Sequence, residues 1–166
     1  MRKIICFIVC ICMLSSLPVN AQDNSYDSVE IKLSIGDNTV YINGVPTVID
    51  AAPVIRNDRT MVPIRVIAEA LGAEVEWTTW LMRDAVNIIP NNEFYRYCIV
   101  IGESEVIVWK DPFHEKFDPD LEINNSLDSP AFIENDRTYL PLRFVAEGLG
   151  ASVGWDGATQ TITIVK

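Results

Sequence analysis

Polar and apolar side chains alternate through Glu30, Ile31, Lys32, Leu33, Ser34 and Ile35, the period-two signature of a strand buried on one face. The same alternation returns at residues 105–108, and Asn43-Gly44 supplies a tight-turn dipeptide. Further on, Asn57-Asp58 and Asn135-Asp136 each separate two short apolar runs, which predicts a hairpin. The second strand of each hairpin feeds a helical spacing: Ile64, Ile67, Ala68 and Leu71 in one place, Leu142, Val145, Ala146 and Leu149 in the other. One stripe of each short helix therefore faces a core. Pro63 and Pro141 suit the first helical position, where a missing N–H costs nothing, and Gly72 and Gly150 stand where a left-handed residue ends a helix. Alternation then resumes as Val75 and Trp77, and as Val153 and Trp155, which places both tryptophans in the core. Residues 85–89 and 161–165 close each unit with a strand. Residues 97–101 are apolar throughout, as a strand covered on both faces requires.

One β-β-β-β-α-β-β unit is thus written twice. Residues 57–73 recur as residues 135–151, with Arg59, Thr60, Pro63, Arg65, Glu69 and Gly72 reappearing as Arg137, Thr138, Pro141, Arg143, Glu147 and Gly150. The match continues from Trp77 to Trp155, and upstream Gly36, Val40 and Ile42 pair with Gly102, Val106 and Val108. Repeat one spans about 29–90 and repeat two about 91–166, the latter carrying an inserted loop, 111–129, rich in Pro, Asp and Asn. The fold class this predicts is α+β, two tandem repeats of mostly antiparallel sheet, each wrapped around one short helix.

The N-terminus reads as an address rather than as structure. Arg2 and Lys3 precede an apolar run, residues 4–14, that is too short to span a bilayer, and Val19-Asn20-Ala21 places small or modest residues before a cut after Ala21. Residues 1–21 are therefore expected to be a signal peptide and 22–28 a flexible lead-in. Cys6, Cys10 and Cys12 lie inside the apolar run, not after it, so lipid anchoring is not expected. Their removal leaves Cys98 alone, and no internal disulfide can form. Loss of Arg2 and Lys3 takes the net charge from −10 to −12, which argues against nucleic acid or an anionic polymer as partner. No later stretch is apolar enough to span a membrane.

The order of turn, Arg-Thr, two apolar residues, Pro, apolar, Arg, a short helix with Ala-Glu, Leu-Gly-Ala and Val-x-Trp resembles the copper amine oxidase N-terminal-like domain, also called the stalk domain. The resemblance covers residues 29–166 and occurs twice. It implies a five-stranded or similar antiparallel sheet around a helix, in a secreted bacterial protein that stands alone or beside cell-wall domains. In the oxidase that names the family this part is an accessory stalk, and the chemistry lies elsewhere.

Candidate chemistry is sparse. An oxidase centre of that kind needs three imidazoles and a quinone made from tyrosine, whereas the chain has one histidine, His114, in the inserted loop. Zinc lacks ligands for the same reason. Asp118, Asp120 and Glu122 alternate as calcium ligands do, but the sixth-position glycine of an EF-type loop is Ile123, so the loop reads as plainly acidic. No cofactor or metal is expected, no Gly-x-Ser-x-Gly elbow precedes a helix, and nothing selects two acids as a glycosidase pair. Arg65 with Glu69, and Arg143 with Glu147, are four apart and read as ion pairs on the outer helix face; Arg59 and Arg137 read as bonding nearby carbonyls. Trp80, Trp109 and Phe113 are the candidates for an aromatic platform that stacks on sugar rings. The function expected is a secreted, non-catalytic stalk or binding module that contacts cell-wall glycan or a surface protein. The alternative is a small secreted hydrolase or inhibitor that uses the acids of the inserted loop.

Overall fold

The computed structural model describes residues 28–166, apart from 92, 117, 119, 121 and 122. The expected signal peptide and nearly all of the lead-in lie outside the described residues. Repeat one contributes β1 (Glu30–Ser34), β2 (Thr39–Ile42), β3 (Val45–Val48), β4 (Val54–Arg56) and β5 (Arg59–Pro63), then α1 (Ile64–Ala70), β6 (Ala73–Trp80) and β7 (Arg83–Pro90). Repeat two contributes β8 (Tyr95–Val100), β9 (Val106–Lys110), β10 (Phe132–Glu134), β11 (Arg137–Pro141), α2 (Leu142–Gly148), β12 (Ser152–Asp156) and β13 (Thr161–Val165). The chain is α+β, and among the described residues every strand pairing is antiparallel.

Strands are shared between the repeats, unlike the expected layout of one sheet per repeat. The five-stranded sheet runs β12-β13-β1-β2-β3, one four-stranded sheet runs β10-β11-β5-β4, and the other runs β6-β7-β8-β9. Each therefore takes strands from both copies. The central contact is β5 against β11, where Val62 faces Leu140, its own equivalent in the other repeat. This register puts a pseudo-two-fold axis through that pair. Each helix also packs on the other repeat, α2 on β5 and α1 on β11, and the two helices touch. A unit of about sixty residues buries only about 60% of its surface alone, so exchange of strands completes a core that neither copy has by itself.

The resulting core is continuous. Ile31, Leu33 and Val40 from the first copy meet Ile162 and Ile164 from the second, with Val62 and Leu140 at the centre. The eight stripe residues of the two helices are all buried, as their spacing requires. Gly72 and Gly150 adopt φ of 81° and 78°, just past the helix ends, while Pro63 and Pro141 stand one residue earlier than expected, as N-caps that also end β5 and β11. β8 is covered on both faces: Tyr97 and Ile99 enter the main core, and Cys98 and Val100 join Ala85 in a smaller one.

Repeat one has a strand, β3, that repeat two reduces to a trace. After the inserted loop the chain returns so that Val106 N–H bonds to Asn125 O at 2.7 Å and Leu127 N–H to Ser104 O at 2.7 Å. Ile49 N–H bonds to Asn38 O at 2.8 Å in the matching place. The insertion thus sits where repeat one has the tight turn Asn43-Gly44.

Candidate functional site

The repeated motif forms a set of reciprocal clasps. The Asn-Asp turns place Asn57 and Asp58, and Asn135 and Asp136, at positive φ, which these short polar side chains tolerate. Arg59 follows the first turn and pairs with Asp128 of repeat two, and Arg137 follows the second and pairs with Asp50 of repeat one. Each arginine also donates to its own turn, to Asp58 O at 3.1 Å and Asp136 O at 3.0 Å, as the sequence suggested. Asn57 donates to the buried Ser129 hydroxyl at 3.2 Å, and Tyr139 donates to Ala52 O at 3.1 Å. Arg65 lies 3.8 Å from Glu69 and Arg143 lies 3.5 Å from Glu147, on exposed helix faces. The sequence reading missed Asp50 and Asp128, although both stand at the same distance ahead of their Asn-Asp turns.

The two motif tryptophans are not core residues: Trp77 is 51% exposed and Trp155 53%. Trp77 pairs with Val86 and Trp155 with Ile162, so both lie on the inward face of their sheets. Alternation identified that face correctly but not the length of the cover above it. A helix of seven residues is about 10 Å long. Along β6 the cover thins from buried Ala73 through half-buried Val75 to exposed Trp77.

Where the cover ends, a groove of about 820 Å³ opens. Trp77, Val75 and Val86 line one side, Ile64, Val66, Arg65 and Glu69 another, the segment 47–51 a third, and Ile133 with residues 136–138 the last. Thus both repeats build it. Its pseudo-symmetric sibling holds Asp128, Arg143 and Glu147 in place of Asp50, Arg65 and Glu69, yet measures only about 210 Å³. There Phe144 replaces Val66, is buried, and meets Tyr97 edge-on at 5.3 Å, while Asn124, Ser126 and Leu127 also line the cleft. Trp155, although as exposed as Trp77, does not line the smaller cleft, so the groove beside Trp77 is the larger of the two related sites.

Of the expected aromatic platform, Trp80 and Trp109 come together, edge to face at 5.7 Å, although β6 and β9 are opposite edges of their sheet. Strands three intervals apart lie about 14 Å from one another when flat, so the sheet curls, and Trp80 packs on Ala85, Cys98 and Val100. Phe113 does not join them. It is 95% exposed with its amide bonded to Asp111 Oδ1, and among the described residues its ring meets neither tryptophan. In the inserted loop His114 Nδ1 accepts from Lys116 N–H at 3.1 Å and Asp118 Oδ1 accepts from Asp120 N–H at 2.9 Å. Glu122 lies outside the described residues.

Two tyrosines at the junction of the repeats complete the picture. Tyr95 and Tyr97 both donate to Gly148 O, at 3.3 and 3.2 Å, and burial pushes both phenols above their usual range, with Glu93 adding for Tyr95 and Tyr95 adding for Tyr97. Burial likewise raises the Cys98 thiol, which favours its protonated form. The Asp156 carboxyl is held below the usual range by the Thr159 hydroxyl and the Ala158 amide, the direction opposite to that of a general acid.

Among the described residues, interlocked antiparallel sheets, two short helices and the groove beside Trp77 define a duplicated β-rich module. The chain belongs to the copper amine oxidase N-terminal domain family, whose model matches residues 20–80 and 114–166. That family is named for a part of the oxidases that is not catalytic. No curated protein and no solved structure matches the chain. The copper in the name does not fit this donor set: the chain has one histidine, and the described residues hold no group of three or more His, Cys, Asp or Glu placed to bind an ion. Among the described residues, no helix is long and apolar enough to cross a membrane.

Proposed function

We propose that this protein is a secreted, non-catalytic accessory module that works at the bacterial cell surface by binding, and that the Trp77 groove is its contact site. The observation that carries the reading is the asymmetry between the siblings. Duplication supplies two related clefts, and the chain keeps about 210 Å³ beside Phe144 but about 820 Å³ beside the half-exposed Trp77 indole. An exposed aromatic in a cleft with a few charged groups is a common form of recognition site. The acidic net charge of −10 turns anionic polymers away and favours a neutral or basic surface partner.

Two measurements test this reading. Expressed in a bacterial host, the chain is expected in the medium or on the surface with Gln22 as its first residue; an intact Met1 on a cytoplasmic product would overturn the secretion. Purified residues 22–166 are expected to be retained on one of isolated peptidoglycan, exopolysaccharide or surface-protein fractions, and to oxidise no amine with or without added copper. Peroxide release from amines would overturn the non-catalytic reading.

A further inference from the structure

We infer that the Trp77 groove takes a basic, extended polypeptide segment of a partner protein, with a Lys or Arg side chain laid along the indole and its charge beside Asp84 and Asp136. This deepens the binding-module reading and rests on it. The groove's charges decide its occupant. Arg65 and Arg137 both line it, but Arg65 is already matched by Glu69 and Arg137 by Asp50. Asp84 and Asp136 line it too, and among the described residues neither carboxylate has an ion-pair or hydrogen-bonded partner. The lining thus carries an acid surplus on a chain already at −10. A neutral sugar would leave those carboxylates partly desolvated without a counter-charge, whereas a cation supplies one.

The apolar part of the lining suits the same occupant. The stem of a Lys or Arg is a chain of methylenes that packs on an aromatic face while its head stays polar, and a cation over an indole gains further from the ring's quadrupole. A volume of about 820 Å³ is large for a single amine and suits a segment.

Sheet edge geometry indicates how the segment is held. The bond from Ile49 N–H to Asn38 O fixes the β2–β3 register so that Val45 and Thr47 face β2, leaving Pro46 and Val48 on the free edge beside the groove. Pro46 has no N–H, so this short edge lacks one of its outward donors and is a poor partner for strand addition. Side chains in the groove, not strand addition, therefore set the affinity.

The test titrates residues 22–166 with acetyl-hexalysine amide, with an uncharged Ser/Gly hexapeptide and with chitohexaose, read by calorimetry and tryptophan fluorescence. The hexalysine peptide is expected to bind and the others not. Trp77→Ala, or the pair Asp84→Asn with Asp136→Asn, is expected to weaken it roughly tenfold, with Trp77→Phe recovering most of the loss. The pseudo-symmetric Trp155→Ala, and the pair Glu74→Gln with Asp118→Asn, which removes the same charge outside the groove, are expected to leave it within about twofold. Equal weakening by both acid pairs would reduce the effect to bulk charge and overturn the proposal. So would chitohexaose binding that depends on Trp77 while hexalysine gives no response. Retention on surface material that Trp77→Ala leaves unchanged would overturn the groove and keep the module. Groove binding of the peptide with no retention on any surface fraction would do the reverse.

Discussion

A Cβ on Gly148 would come within 3.1 Å of the Tyr97 hydroxyl, so α2 ends in glycine where α1 has Ala70. The space saved lets Tyr95 and Tyr97 reach the Gly148 carbonyl from β8. Tyr97 is held neutral by burial, with its pKa above the ordinary 10.0. A phenol whose pKa is raised by folding contributes fully below the unfolded value and loses that contribution as pH rises beyond it. Stability is therefore expected to fall from about pH 10 upward more steeply in the wild type than in Tyr97→Phe, which itself loses about 0.5–1.5 kcal/mol at pH 7 with the hydrogen bond. Urea midpoints across pH 7–11 check this, and parallel curves for the two proteins would count against it. The exchanged clasps act on a smaller scale. Arg137 and Asp50 are both well exposed, so a double-mutant cycle with Arg137→Ala and Asp50→Ala is expected to give a coupling of about 0.2–1 kcal/mol, falling with salt. A coupling of zero at low salt would remove the clasp from the account. This pairing was hidden in the sequence because neither aspartate lies within the motif that draws the eye.

Turns show which local rules the chain keeps and which it breaks. The two-residue hairpin turns Asn43-Gly44, Asn57-Asp58 and Asn135-Asp136 put both residues at positive φ, and the β6–β7 turn does the same with Leu81 at φ 48° and Met82 at φ 64°. Both side chains stand in solvent, Leu81 80% exposed, so no burial offsets the left-handed backbone, which costs an ordinary residue roughly 1–2 kcal/mol. Met82→Gly is accordingly expected to stabilise the protein by about 1 kcal/mol and raise Tm by about 2–4 °C in calorimetry. An unchanged or lower Tm would show that the turn is not strained. The helices, by contrast, were legible, since a spacing of three and four fixes a face whatever it packs against. The burial of Trp77 and Trp155 was not, because alternation marks the face of a strand and says nothing of how far a short helix extends over it.

At the scale of the molecule the duplication was plain in the sequence, and so was the cover on both faces of the strand that holds residues 97–100. Which copy pairs with which was not. Both copies carry the same alternation, so a strand finds an equally suitable partner in its own repeat or in the other, and only the three-dimensional register decides. The register observed leaves a fragment of residues 22–90 with β1 lacking β13, β5 lacking β11 and β7 lacking β8, and leaves residues 91–166 with the complementary gaps. Each piece would expose the core side of three sheets, including Val62 or Leu140 at the axis, and burial of one such side chain is worth about 1.5–3 kcal/mol against a total stability of about 5–15. Alone, each fragment is expected to be disordered or self-associated. The same gaps make the pieces each other's partners, so an equimolar mixture is expected to form a one-to-one complex with the dispersed amide spectrum of the intact chain and a single, concentration-dependent melt. Two monomeric fragments that fold separately, each with its own sharp transition, would mean that the strands do not cross between repeats in solution.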